Sequence, residues 1–151
     1  MRNIVLLFFC IIVSFGLASC SWTKVYNDLE EDHIAGKHFL DGFYGAVKNK
    51  DLDKIEKLSS DSLLLLKGKE RYRQLFEFIN LKVGGFEGYE VSEVETKRVE
   101  KNGFIKVYYR FRNRVKYENG LVDEVVVLSK LGEKNIEIMS YNVNSDLFMT
   151  Q

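Results

Sequence analysis

The 151-residue sequence has no proline, one tryptophan, two histidines and two cysteines. Without proline there is no stiff polyproline spacer between domains. Cys10 and Cys20 both lie in the first twenty residues, so no disulfide can staple the chain beyond them. Lysine plus arginine and aspartate plus glutamate number 22 each, and a balanced global charge names no partner. The longest apolar run, Ile4 to Leu17, is 14 residues long. A helix needs about 20 apolar residues to cross the hydrocarbon core, so a stable transmembrane helix is not expected. No low-complexity tract and no internal repeat interrupts the rest.

What is present begins with a leader. Residues 1–20 carry a positive start at Arg2, the apolar run, and small residues before Cys20, the three-part layout of a secretory signal. The tetrad Leu17-Ala18-Ser19-Cys20 resembles the lipobox of bacterial lipoproteins at every position. The resemblance implies attachment of a diacylglyceryl group to the Cys20 thiol and cleavage before Cys20. Two or more acyl chains, at about 0.8 kcal/mol per buried methylene, make such anchoring stable. Ser21 is not the aspartate that marks inner-membrane retention, so the implied location is the cell envelope, at the outer membrane in a Gram-negative source. The expected organisation is a signal peptide over 1–19, a short tether over 20–27 and one domain over 28–151. From Cys20 onward 132 residues remain, enough for one domain. Eleven phenylalanines and eight tyrosines in the full chain can supply a substantial core.

The first half of the domain has helical periodicity. Ala35, Phe39, Gly42, Phe43, Ala46 and Val47 recur on one stripe between Asp28 and Lys50, with acids at the start and lysines at the end. Asp51 is placed to cap a short second helix carrying Leu52, Ile55 and Leu58. Residues Ser59 to Leu66 fit helix or strand. A further helix is expected over Lys69–Asn80, with Gly84-Gly85 closing the helical half.

After Gly88 the period changes to two. Four strands are expected, over Tyr89–Glu100, Phe104–Tyr117, Leu121–Lys130 and Asn135–Asn144, joined by hairpin turns at Asn102-Gly103, Asn119-Gly120 and Gly132 to Asn135. A parity slip between Val91 and Val94 marks a bulge. For the Glu118-Asn119-Gly120 turn, a three-residue loop with Gly120 left-handed pairs Phe111 with Val127, Asn113 with Val125 and Arg114 with Glu124. Residues 125–128 are apolar on both faces, which suggests a second subunit over the outer sheet face. The fold class is therefore α+β, with N-terminal helices on a bent four-stranded antiparallel meander. This order of elements, and the segment Phe39–Asp53 in which a helix ends in a polar turn, resembles the NTF2-like, or cystatin-like, superfamily. The resemblance implies a cone-shaped cavity between helices and sheet, but no particular reaction.

Several constellations bear on chemistry. His33 and His38, with Asp32, stand five residues apart. That spacing puts them about 140° out of line on a helix, whereas a helical metal pair sits at i and i+4, so neither a metal nor a cofactor is expected. Resemblance to NTF2-like enzymes points to an acid beside a tyrosine or second acid in the cavity. The candidates are Asp41 and Tyr44 on the first helix and Tyr109, Asn113 and Asp123 on the inner sheet face. Lys106, Arg110, Arg112, Arg114 and Lys116 form a basic row on the outer face, with alternate residues roughly 6.5–7 Å apart, near the charge spacing of an extended polyanion. Glu93, Glu95, Glu124 and Glu137 on neighbouring strands are placed to neutralise it. Stacking aromatics are too few for nucleic acid. Three functions follow: a non-catalytic envelope module that binds a ligand, a protein or a second copy of itself; a small-substrate cavity enzyme; or a binder of anionic envelope polymers. A buried, unpaired carboxylate in the cavity favours the enzyme, and filling by Phe39, Phe43, Tyr109 and Phe111 excludes it.

Overall fold

The computed structural model describes residues 22–149; the segment 1–20 expected to be a leader, with Cys20, lies outside them. Strand β1 (Thr23–Asn27) leads into helices α1 (Glu30–Lys48), α2 (Leu52–Lys57), α3 (Asp61–Lys67) and α4 (Lys69–Val83). Strands β2 (Phe86–Lys101), β3 (Phe104–Tyr117), β4 (Gly120–Leu131) and β5 (Glu137–Asn144) follow, then a 3-10 turn over Asp146–Phe148. The strands form one antiparallel sheet in the order β1-β2-β3-β4-β5. The class is α+β, with helices covering one face of the sheet. Buried apolar side chains from Leu40 to Tyr141 form one core cluster between the helices and the sheet.

The helices end where local chemistry ends them. Asp51 caps α2 by accepting from the Lys54 amide at 2.9 Å. Ser60 caps α3 by accepting from Leu63, which makes the ambiguous Ser59–Leu66 segment a helix with Leu63 and Leu64 inward. Gly84, at φ 80°, stops α4. Helix α1 packs tightly on the sheet at Gly36, where an added Cβ would stand 2.7 Å from Phe111 and 2.9 Å from Tyr109.

Two expectations about the sheet are corrected. The sheet has five strands, because Thr23–Asn27, read as tether, pairs with β2 from Thr23↔Lys101 to Asn27↔Lys97. This strand is almost wholly exposed and held by backbone pairing, so no apolar alternation marks it. The β3–β4 register is also one residue from the expected one, with Tyr117↔Gly120, Asn113↔Glu124 and Phe111↔Val126. The turn is tied down from outside the hairpin: Glu118 N–H donates to Gly85 O, Asn119 N–H to Val83 O, and Gly85 N–H to the Glu118 carboxylate at 2.9 Å. Gly120 is accordingly a strand residue at φ 148° and not the left-handed member of a three-residue loop. The Asn102-Gly103 hairpin does form with two positive φ angles, 50° and 79°. The β2 register shifts between Val91 and Glu93, at the expected bulge, and again between Phe86 and Gly88.

Candidate functional site

The one-residue change of register turns Glu124 inward. It becomes 1% exposed, beneath α1 and among tyrosines from three elements. Tyr44 from α1 donates to its Oε2 at 2.9 Å, and Tyr117 from β3 donates to its Oε1 at 2.8 Å. Tyr141 from β5 hydrogen-bonds the same carboxylate. Asn113, the cross-strand neighbour of Glu124, donates Nδ2 to the Tyr44 hydroxyl at 3.1 Å. Its Oδ1 is buried without a partner among the described residues. Burial raises the Glu124 carboxyl to about 7, against the three tyrosine hydrogen bonds that hold it down. Burial first, and the Glu124 charge second, push the Tyr44 and Tyr117 hydroxyls far up, so they remain donors at any ordinary pH.

Aromatic packing ties this cluster to an apolar pocket. Phe86 stacks on Tyr44 with centroids 5.4 Å apart and meets Tyr117 edge-on at 6.0 Å. Phe86 and Tyr117 also line a cavity of about 230 Å³, together with Val47, Leu52, Ile55 and Ile79. Lys50, Glu77 and Asn80 supply its polar lining. Tyr117 therefore belongs to both the pocket and the carboxylate cluster. The volume falls below the usual drug-sized range of about 300–1,000 Å³ and suits a single ring or a short chain.

The expected cavity residues divide. Tyr44 and Asn113 enter the cluster, joined by Glu124, Tyr117 and Tyr141. Tyr109 is buried beside Gly36 at the other end of α1, with its hydroxyl pushed up to about 12 by burial and the Asp32 charge. Asp41 is exposed, accepting from Tyr89 at 2.5 Å and from Lys37 at 3.4 Å. The Tyr89 bond first, and Lys37 after it, hold its carboxyl below the usual range despite slight desolvation. Asp123 is on the outer face, 3.9 Å from Arg114, because the corrected register gives its inward place to Glu124. The space between α1 and the sheet is occupied: Phe43, Tyr109 and Phe111 are buried and Phe39 packs against them.

The basic row lies on the outer face as expected, but with counter-ions. Arg112 meets Glu93 at 2.5 Å and Lys116 meets Glu87 at 2.7 Å. Lys106 stands over the Tyr108 ring at 4.7 Å, while Arg110 faces Glu95 across the ladder without a close ion pair. Arg114 pairs with Asp123 in place of the expected Glu124. His33 reaches Asp28 at 3.4 Å, and no group of metal-ligating side chains gathers among the described residues. A further ion pair went unread in the sequence: buried Asp32 accepts from Arg98 at 3.0 and 2.7 Å, with Glu31 at 2.6 Å on the same guanidinium. Its only sequence signal is the placement of Arg98 on the inward parity of β2.

Fold and site thus define an α+β domain with helices on one face of an antiparallel sheet and an apolar pocket at one end. Compared with known proteins, the chain matches no family model, no curated protein and no solved structure.

Proposed function

We propose that this protein is a lipid-anchored envelope lipoprotein whose NTF2-like, or cystatin-like, domain binds a small apolar ligand without transforming it. The observation that carries the binding reading is the pocket floored by Phe86 and Tyr117. Its lining is apolar with a few polar groups, as in small-molecule sites. The anchor reading rests on the leader and on Leu17-Ala18-Ser19-Cys20. An enzyme needs an acid or base that touches its substrate. Glu124, the one described carboxylate with a raised pKa, is enclosed by three tyrosine hydroxyls and a filled core, which favours a structural role. The counter-ions along the basic row weigh against a polyanion binder.

The test uses fluorobenzene, a single apolar ring that the pocket volume can hold and whose fluorine resonance shifts and broadens on binding. The folded protein is expected to bind it at one site, and Leu52→Trp, which fills the pocket from a half-buried position, is expected to weaken binding by about tenfold or more. No binding by the folded protein, or equal binding by Leu52→Trp with an unchanged circular dichroism spectrum, overturns the proposal.

A further inference from the structure

We propose that the β2–β3 hairpin end of the domain docks on the surface of an anionic lipid bilayer, with Trp22 and Phe104 entering the interfacial layer. This inference rests on the lipid-anchor reading, since only Ser21 separates Cys20 from Trp22.

Three observations converge on this end of the molecule. The first is where the chain enters. Strand β1 starts beside the hairpin tip, with Thr23 paired to Lys101 and Lys101 to Phe104. An acyl chain on Cys20 would therefore hold the hairpin tip, and no other part of the sheet, against the membrane.

The second is apolar exposure. Trp22 is 76% and Phe104 75% exposed, and Ile105 and Leu131 beside them are also open. Lys106↔Leu131 pairing and the Gly132 N–H to Ile105 O bond of 2.8 Å bring the β4 end to the same tip. Large aromatic and aliphatic side chains at a polar boundary are the composition of interfacial anchors.

The third is charge. Lys24, Lys101, Lys130 and Lys134 stand at this end without an ion pair among the described residues, and Lys106 lies over the Tyr108 ring. The acids nearby are Glu100, Glu133 and Glu137, while Glu31 and Asp32 share Arg98. Cations thus outnumber free acids at the tip, although the chain as a whole is neutral. Juxtamembrane lysines attract anionic lipid headgroups over about one Debye length.

The single tryptophan makes the test direct. A chain starting at Ser21 keeps the whole described fold and carries neither leader nor lipid. With vesicles of phosphatidylcholine containing one quarter phosphatidylglycerol, Trp22 emission is expected to shift to shorter wavelength, and less so with phosphatidylcholine alone or at high salt. Phe104→Glu is expected to weaken partitioning on the order of tenfold or more. Leu81→Glu, an equally open leucine on α4 away from the tip, is expected to change nothing.

An unshifted Trp22 at every lipid concentration overturns the inference. So does a shift that survives Phe104→Glu, or one that Leu81→Glu removes equally. Metabolic labelling of the full chain with a fatty acid separates this from the anchor itself. If Cys20→Ala loses the label while Trp22 ignores vesicles, docking fails and the anchor stands. If Cys20→Ala still labels, the anchor reading fails.

Discussion

Glu124 is the residue whose chemistry is most sensitive to its setting. In the unfolded chain its carboxyl titrates near 4.5, and in the folded protein burial raises it to about 7. The folded state therefore binds the proton more tightly, and its advantage is fully present below pH 4.5. It is lost as pH rises through about 7, because charging the carboxylate in the core is costly. Linkage over that interval amounts to on the order of 3 kcal/mol. Chemical denaturation at a series of pH values from 5 to 8 is expected to show stability falling across this range. Glu124→Gln keeps an oxygen for the tyrosine donors and cannot ionise, so the fall is expected to flatten in this variant. A parallel decline in both proteins would show that Glu124 does not govern it. The cluster was only partly legible in sequence. Asn113 falls on the inward parity of β3, whereas Tyr44 lies off the apolar stripe expected for α1 and is suggested only by the NTF2-like resemblance. The expected register turns Asp123 inward in place of Glu124. A neighbour in the chain cannot reveal which of two adjacent acids is buried when the answer depends on a turn fixed from elsewhere.

At the scale of elements, local signals were sufficient wherever the structure is locally determined. The Asp51 cap, the Gly84 stop, the Asn102-Gly103 hairpin, the bulge after Val91 and the full extent of β3 follow from side-chain type and period. Where a distant segment decides, they were not. Val83 and Gly85 hold the β3–β4 turn, and β1 joins the sheet through backbone bonds that its polar sequence does not announce. The approach of α1 to β3 is likewise a tertiary fact, and it separates two glycines of the same helix. Gly36 lies against Phe111 and Tyr109, whereas nothing stands within 4 Å of a Cβ added at Gly42. Alanine is the better helix former by about 1 kcal/mol, while forcing a methyl into a packed core costs about 1–3 kcal/mol. Gly42→Ala is expected to gain up to about 1 kcal/mol. Gly36→Ala is expected to lose about 1–2 kcal/mol and to lower the melting temperature by several degrees. Thermal melts of the two variants check the contrast, and an equal response at both sites would remove the close approach as an explanation.

For the whole molecule, the two ends of the sheet have different roles under these proposals. Strand β3 runs from Phe104 at the exposed tip to Tyr117 at the pocket, 14 residues or roughly 40 Å of strand. A domain held by Cys20 and resting on Trp22 and Phe104 would turn the Phe86–Tyr117 pocket away from the lipid. Its ligand would then arrive from the aqueous side of the envelope, and a bilayer lipid could not reach the pocket without leaving the membrane. This orientation can be read with one reporter. Glu77, which is exposed and lines the pocket, is replaced in Glu77→Trp, with Trp22→Phe removing the native tryptophan. In the lipidated protein on vesicles, iodide in the buffer is expected to quench this reporter as strongly as it does in detergent, and brominated lipid is expected to leave it unchanged. Trp22 in the parent should respond in the opposite way, shielded from iodide and quenched by the lipid. Brominated-lipid quenching at position 77 would place the pocket against the membrane and reverse the assignment of the two ends.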